Sequence, residues 1–348
     1  MKKIDLEAHF ITEEYQEYMR TRKESPRLET IEDEKHQKFD RLWHGPDLSR
    51  LRSLSTRDRL LDLGEGRLKE MNDAGIDMQV LSLSDPGCEP FDASEATTLA
   101  RKINDGLYRS VKKHPDRFIG LASLAPQSPR EAADELERAV NELGFRGAKI
   151  NSNIRGEYLD NQKYWVILER AEKLGVPIYL HPTLLAPSML KPYTAYGGSL
   201  AGPSLGFAAE ASLHAMLLIY SGVFDQFPRL KIILGHLGEG LPFYLNRINL
   251  GWLEPPTSED NRPKCKKKPS EYIKTNFMMT TSGMFFLPAF LCVYLALGAD
   301  NMAFAIDHPY APNRPAGQFM ELLSISEGDK EKICHLNAER LFRLDILA

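Results

Sequence analysis

Short apolar runs rich in valine, isoleucine and leucine recur along the whole chain. Turn residues bound these runs, a pattern typical of strands that are buried on both faces of a sheet. Eight such runs cover Ile4–Phe10, Met78–Ser84, Phe118–Ser123, Gly147–Asn151, Pro177–His181, Lys231–His236, Phe277–Thr281 and Met302–Asp307. The pattern therefore predicts eight buried strands.

Helical patterns lie between these runs. Residues 128–144, 162–175 and 327–344 carry apolar side chains at the three- and four-residue spacing of an amphipathic helix. Strands that alternate with helices eight times favour a (β/α)8 TIM barrel of the α/β class. Since no second composition regime is present, we expect residues 1–348 to form a single domain.

Two segments are longer than ordinary connections, residues 11–62 after the first predicted strand and residues 182–207 after the fifth. In a barrel, the loops that follow the strands stand over the catalytic face. We therefore expect insertions after strands 1 and 5, with residues 11–62 capping a pocket. Surface decoration is the alternative reading of both segments.

Composition narrows the class of protein. The 348 residues are 43% hydrophobic and carry a net charge of -4, so no broad basic field is available to bind nucleic acid or an anionic membrane. No run approaches the roughly 18 apolar residues of a membrane span. The N-terminus lacks a signal-peptide pattern, and the four cysteines form no CxxC pair. We expect a cytoplasmic protein.

Metal-ligand side chains stand at the ends of four predicted strands. Glu7 and His9 alternate along the first strand, which predicts that they point together, while Leu6, Ala8 and Phe10 point away. Three further strands end in His181, His236 and Asp307. One such histidine alone is more often structural, but four strands with this feature indicate one site for Zn²⁺, Mn²⁺ or a similar divalent ion.

Several motifs strengthen this interpretation, namely "LEAHF", "VPIYLHP", "SGVFDQFPRLKIILGHLGEGLPF", "TTSG" and "AIDHPY". Together they span nearly the whole chain. The sequence resembles the amidohydrolase superfamily, and within it the metal-dependent aromatic decarboxylases that act on γ-resorcylate or 2,3-dihydroxybenzoate.

The resemblance implies one divalent ion held by Glu7, His9, His181 and Asp307. It implies that Asp307 donates a proton, that His236 lies beside the metal, and that Glu239 and Arg247 support this catalytic group. The implied reaction is the non-oxidative removal of CO₂ from an ortho-hydroxylated aromatic acid, with no organic cofactor. The implied assembly is a homodimer or homotetramer.

Alternatives remain open at this point. A hydrolase or hydratase on the same barrel would use metal-bound hydroxide, and a carbamylated Lys149 bridging two metals would favour it. The other interpretation of Lys149 is a lysine paired with a barrel carboxylate. His308 either contacts the substrate or packs in the core, and one of Arg50, Arg52 and Arg57 could meet a substrate carboxylate. A barrel that uses its metal only for stability is the remaining alternative.

Overall fold

Eight parallel strands are present in the computed structural model, which describes residues 1–45, 47–255, 257–258 and 262–344. Neighbours in the chain pair in parallel. The strands are Ile4–Phe10, Met78–Leu83, Phe118–Gly120 with Ala122–Ser123, Ala148–Asn151, Ile178–His181, Ile232–Leu234, Phe277–Thr280 and Met302–Ala303. All eight predicted strands are confirmed, although several are shorter than predicted.

Backbone hydrogen bonds join the eighth strand to the first and so complete the barrel. The N–H of Leu6 donates to the carbonyl of Phe304 at 3.0 Å, and the N–H of Asp307 donates to the carbonyl of Glu7 at 2.9 Å. These bonds place the last strand beside the first, as a TIM barrel requires. The predicted fold class is confirmed.

Helices surround the strands. The main ones are Glu65–Asp73, Ala93–Lys113, Pro129–Asn141, Trp165–Leu174, Gly206–Tyr220, Leu241–Trp252, Pro269–Asn276, Leu287–Leu297 and Asn313–Leu322. The chain closes with short helical segments at Glu327–Glu331, Lys332–Leu336 and Asn337–Phe342. The three predicted helical segments are thus helical. None of the described helices is both long enough and apolar enough to cross a lipid bilayer.

Both predicted insertions have structure of their own. Residues 11–62 contain a helix, a three-stranded antiparallel sheet and a second helix. These elements are Glu13–Thr21, Arg27–Glu32, Lys38–Gly45, Leu48–Ser53 and Leu54–Leu61. Residues 182–207 contain the helix Pro187–Tyr193 and a π-helical turn, Leu200–Ser204. The predicted domain end at residue 348 lies outside the described residues.

The first strand corrects one detail of the predicted pattern. Leu6 does not point away from the barrel axis with Ala8 and Phe10, because it packs in the inner apolar cluster with residues such as Ile233. A shift in register between Asp5 and Ala8 marks a β-bulge, and the extra residue of a bulge changes the alternation of side chains. Glu7 can therefore enter the interior directly after Leu6.

A fully buried arginine fixes the first strand to the segment that follows the insertion. The guanidinium of Arg67 donates to the carbonyl of His9 at 2.7 Å, to that of Arg59 at 2.8 Å and to that of Asp62 at 2.8 Å. Only 2% of Arg67 is exposed. Because buried carbonyl oxygens need hydrogen-bond donors, the side chain of Arg67 stabilises three separate segments of the chain at once.

We predict that Arg67→Met lowers the free energy of unfolding by about 3 kcal/mol, because a buried acceptor left without a donor costs about 1–3 kcal/mol. Urea or thermal unfolding of the purified variant measures the change. Lys69→Met on the same helix is the control, since that side chain is 75% exposed. Equal stability of the two variants would contradict the role given to Arg67.

Candidate metal centre

The carboxyl ends of four strands bring the predicted residues together. Glu7 and His9 come from the first strand, and His181 ends the fifth. His236 lies two residues after the end of the sixth strand, and Asp307 lies four residues after the end of the eighth. This is the face of a barrel on which catalytic groups lie.

The distances within this cluster fit a single cation. Oε1 of Glu7 lies 3.2 Å from Nε2 of His181 and 3.5 Å from Nε2 of His9. Oδ1 of Asp307 lies 3.1 Å from Nε2 of His9. Possible ligand atoms of Glu7, His9 and His181 all lie within 4.8 Å of one another, and so do those of Glu7, His236 and Asp307. The residues can hold one metal ion, as predicted.

Glu7 provides a direct test of this fit. Its Oε1 is buried and has no hydrogen-bond donor among the described residues, whereas Tyr179 donates its hydroxyl proton to Oε2. A buried carboxylate oxygen without a donor is costly unless a cation faces it. The two imidazole nitrogens nearest to Oε1 are also metal-ligand atoms, so a divalent ion suits this donor set.

Charges around the cluster favour the ligand forms of these groups. Burial by itself raises the pKa of Glu7, but the imidazoles of His236, His181 and His9 lower it well below its usual value. Burial, and then the charge of Lys149, lowers the pKa of His181 to about 3. The carboxylate form of Glu7 and the neutral form of His181 are the forms that bind a metal.

His236 and Glu239 form a second, more polar pair beside the cluster. Nδ1 of His236 lies 2.7 Å from Oε1 of Glu239, and its Nε2 lies 3.9 Å from Oδ2 of Asp307. Burial disfavours the imidazolium, yet Glu239 and Glu7 raise the pKa of His236 well above its usual value. These charges favour the protonated form of His236 close to the carboxylate of Asp307.

Backbone strain is concentrated at the same place. His236, Leu237, Glu239 and Asp307 all have left-handed backbone angles, with φ between 50° and 72°. Such a conformation costs a residue with a side chain about 1–3 kcal/mol, and it persists where the surroundings enforce it. The fold thus holds the side chains of His236, Glu239 and Asp307 in orientations that a relaxed strand end would not give.

Two neighbours of the cluster were not predicted. The hydroxyl of Tyr179 contacts Glu7, and the hydroxyl of Ser82 lies 3.2 Å from Nδ1 of His9. Tyr179 stands two positions before His181, so the alternation along a strand could have identified it. Ser82 comes from the second strand, and only the pairing of that strand with the first brings it to His9.

A cavity of about 630 Å³ opens above the cluster. His181, His236, Glu239 and Asp307 form part of its wall. The insertion at residues 11–62 contributes Leu42, Arg50, Leu51, Arg52, Ser53 and Thr56, and the second insertion contributes Pro182, Pro203, Ser204 and Phe207. The cavity is large enough for a small aromatic acid.

Three other predicted residues lie outside this cluster. Arg247 is exposed on the helix Leu241–Trp252, and no hydrogen bond or ion pair joins it to the cluster within the described part of the chain. Lys149 is buried and donates to the carbonyl of Leu83. His308 is 1% exposed, and its Nδ1 lies 2.8 Å from Oδ1 of Asn313.

Together, the parallel barrel and one histidine–carboxylate cluster at its catalytic face define a metal-dependent barrel enzyme. The chain belongs to the amidohydrolase family, whose sequence profile matches residues 4–344. The family membership inferred from the motifs is therefore confirmed.

Two similar proteins are aromatic decarboxylases. Gamma-resorcylate decarboxylase from Polaromonas sp. (strain JS666) is 38% identical over 354 residues, with 99% of each chain covered. Gamma-resorcylate decarboxylase from Rhizobium sp. (strain MTP-10005) is 40% identical over 296 residues, which are 82% of this chain and 89% of the relative.

A solved relative from Polaromonas shows the same architecture. The crystal structure of its dihydroxybenzoic acid decarboxylase, with bound manganese and the inhibitor 2-nitroresorcinol, matches this fold with a TM-score of 0.83 and 36% identity. The match covers 99% of this chain and 97% of that chain. The predicted resemblance to the aromatic decarboxylase branch is thus also confirmed.

We predict that His181→Ala raises the dissociation constant for Mn²⁺ by more than 100-fold. Loss of a contact behind a ligand costs about 10- to 100-fold in metal affinity, and loss of the ligand itself costs more. Elemental analysis after dialysis against a chelator measures the change. His36→Ala is the control, because that side chain is 88% exposed. Full metal retention by His181→Ala would contradict the assigned site.

Proposed function

We propose that this protein is a metal-dependent, non-oxidative decarboxylase of ortho-hydroxylated aromatic acids. The observation that carries the proposal is the cluster of Glu7, His9, His181 and Asp307, in which His181 and Asp307 form part of the wall of a cavity sized for such an acid. The decarboxylase relatives, one of them with bound manganese, support it. We propose Mn²⁺ or Zn²⁺ as the ion, since both accept this mixed imidazole and carboxylate set.

The chemistry explains why such a centre is needed. Direct loss of CO₂ from a ring leaves an aryl carbanion in the ring plane, where no π system accepts the charge. An ortho hydroxyl allows the carbon that carries the carboxylate to be protonated first, after which loss of CO₂ restores aromaticity. A divalent ion held by Glu7, His9, His181 and Asp307 would supply Lewis-acid stabilisation of negative charge on the substrate and would help to orient it.

Asp307 is the residue that moves the proton. Burial raises the pKa of this carboxyl, but the nearby imidazoles of His236 and His9 lower it below its usual value, which favours the ionised form of Asp307 before substrate binds. It accepts the proton of the ortho hydroxyl and then donates it to the carbon that carries the carboxylate. The C–CO₂ bond breaks, its electron pair returns to the ring, and CO₂ leaves.

His236 completes the proton balance. After CO₂ has left, the ring oxygen still lacks the proton that it gave up at the start. Nε2 of the His236 imidazolium lies 3.9 Å from Oδ2 of Asp307, and we propose that it donates its proton to this ring oxygen of the substrate. The imidazole then takes up a new proton from solvent. Glu239, 2.7 Å from the other ring nitrogen, stabilises this charged form.

The insertion at residues 11–62 caps the site and recognises the acid. Arg50 and Arg52 come from its last strand and line the cavity. The guanidinium of Arg52 donates to the hydroxyl of Tyr310 at 3.0 Å, and that of Arg50 lies 5.1 Å from the ring centre of Phe207. These contacts hold both guanidinium groups over the cavity, where a guanidinium can form a bidentate pair of hydrogen bonds with the substrate carboxylate.

We also propose that the protein is cytoplasmic. Its four cysteines, Cys88, Cys265, Cys292 and Cys334, are all free thiols, which suits a reducing compartment.

A hydrolase or hydratase on the same barrel is the competing function. It would add water through a metal-bound hydroxide, and a second metal bridged by a modified Lys149 would assist it. In this structure Lys149 instead donates to the Leu83 carbonyl, which supports a structural role for the lysine.

We predict that the Mn²⁺-loaded protein releases CO₂ from at least one member of a panel of ortho-hydroxybenzoates. Asp307→Asn should lower this rate by about 10²- to 10⁴-fold, the usual contribution of a general acid. Mass spectrometry of the product and CO₂ capture measure the reaction. Asp329→Asn, on the surface helix Glu327–Glu331, is the control and should retain the rate.

Metal content is measured for both variants, because Asp307 is also a ligand candidate. Products that gain 18 mass units rather than lose 44 would support the hydratase alternative. No conversion across the panel by the metal-loaded protein would contradict the proposed activity.

The exposed face of the helix Leu241–Trp252 supports the predicted homo-oligomer. Phe243, Arg247 and Leu250 lie on one side of this helix, at the four- and three-residue spacing of a helical stripe. Phe243 is 74% exposed and Leu250 is 55% exposed. We propose that a second copy of the chain covers this stripe, and that Arg247 approaches the cavity of the partner rather than its own.

We predict that Phe243→Glu converts the oligomer to monomers, because a buried charge without a partner opposes association. Sedimentation or light scattering measures the mass. Leu322→Glu is the control, since Leu322 is 83% exposed on a different helix and should leave the mass unchanged. An unchanged oligomer in Phe243→Glu would exclude this face as the interface.

A further inference from the structure

A buried chain of side chains lies behind His181, outside the predicted ligand set. Nδ1 of His181 lies 3.2 Å from Oδ1 of Asn151. The side-chain amide of Asn151 donates to Oε2 of Glu89 at 3.0 Å, and its backbone N–H donates to Oε1 of Glu89 at 2.7 Å. Glu89 is 4% exposed and Asn151 is 1% exposed, so solvent has almost no access to either residue.

The contacts of Asn151 determine which way its amide points. Its Nδ2 has two hydrogens, and both meet acceptors, one on Glu89 and one at the carbonyl of Pro86, 3.0 Å away. A carboxylate and a carbonyl accept but do not donate. The oxygen of the amide must therefore face His181, which has to donate from Nδ1.

This arrangement has consequences for the other nitrogen of His181. A neutral imidazole with its proton on Nδ1 has a free electron pair on Nε2. Nε2 is the atom that lies 3.2 Å from Oε1 of Glu7, within the cluster. The tautomer that Asn151 selects is therefore the one that can bind a metal.

We infer that Glu89 is a positioning residue for the metal centre, which fixes the Asn151 amide and through it the metal-binding tautomer of His181. The inference rests on the proposed metal-dependent function. The second ring nitrogen of a metal-bound histidine usually donates directly to a carboxylate, a backbone carbonyl or water. Here the carboxylate of Glu89 acts on His181 through the side chain of Asn151.

The surroundings of Glu89 favour this role over ligand binding. The cavity next to Glu89, Lys149 and Asn151 measures only about 10 Å³, which is at the lower limit for one water molecule. Gly87 packs tightly here, since a Cβ at this position would lie 2.2 Å from both the Asn151 amide nitrogen and Oε2 of Glu89. A substrate therefore has no room beside Glu89, and the carboxylate serves Asn151.

The decisive variant is Glu89→Gln, which keeps the size of the side chain but replaces one acceptor with a donor. The backbone N–H of Asn151 retains the Gln oxygen, so the new amide NH₂ faces Nδ2 of Asn151. Rotation of the Asn151 amide relieves this conflict with the new side chain, although it leaves the Pro86 carbonyl without its donor, and it turns the NH₂ toward His181. His181 then accepts at Nδ1 and carries its proton on Nε2.

We expect Glu89→Gln to bind Mn²⁺ about 10- to 100-fold more weakly, the usual cost of losing a contact behind a ligand. Competition with a fluorescent chelator measures the affinity. Nitrogen NMR of the metal-free, ¹⁵N-histidine-labelled protein should show the His181 proton moving from Nδ1 to Nε2. Parental affinity together with an unchanged tautomer would overturn the inference.

Cys88→Ser is the matched control. Cys88 is buried and lines the same small cavity as Glu89, but no hydrogen bond joins its side chain to Asn151 or His181 within the described residues, so Mn²⁺ affinity should stay within a few-fold of the parent. Equal weakening in Cys88→Ser and Glu89→Gln would show that only local packing matters, and would also overturn the inference.

A second variant covers the case in which Glu89→Gln does not fold. Asn151→Ala removes the acceptor for Nδ1, so we expect the same 10- to 100-fold loss of Mn²⁺ affinity. Parental affinity in Asn151→Ala would contradict the proposed relay. Failure of the parent protein to bind Mn²⁺ would instead contradict the proposed function, while the NMR experiment would still test the effect of Glu89 on His181.

Discussion

The structure depends on one electrostatic constraint, a fully buried carboxylate with a second, partly exposed carboxylate beside it. Glu7 is 1% exposed and its Oε1 has no donor within the described residues, while Asp307 stands on the adjacent strand end. Burying such charges costs several kcal/mol each unless opposite charge or strong donors surround them. The imidazoles around the two carboxylates, and the cation that the cluster can hold, offset this free-energy cost. The placement of ligand-type residues at four strand ends follows from it.

The barrel and its insertions divide the proposed function between them. The proposed metal-binding residues stand on, or shortly after, strands that hydrogen bonds join to a neighbouring strand on each side. The residues that face the rest of the cavity, including Arg50 and Phe207, come from segments outside the barrel. Changes in these segments can alter which acid is accepted while the cluster stays the same, which suits a fold whose loops carry specificity.

The sequence predicted the strands and the cluster because both depend on local order. An apolar run followed by His181 or Asp307 places that residue at a strand end whatever the rest of the chain does. Pairing between strands was not predictable in this way. The bulge that turns Leu6 inward, the left-handed backbone of His236 and the exposed position of Arg247 all depend on how distant segments pack. The antiparallel sheet within residues 11–62 was also not predicted, because its strands are rich in charged residues, which obscure the alternation of apolar and polar positions expected of a strand.

The hydrogen bond from Asp307 to the Glu7 carbonyl joins two residues that are three hundred positions apart in the chain. During synthesis the N-terminal strand leaves the ribosome long before its neighbour in the barrel exists. The edge of the first strand that carries Glu7 and His9 therefore stays unpaired until almost the whole polypeptide has emerged. A ribosome-bound or prematurely terminated chain that lacks Asp307 is consequently unable to assemble the complete proposed cation site.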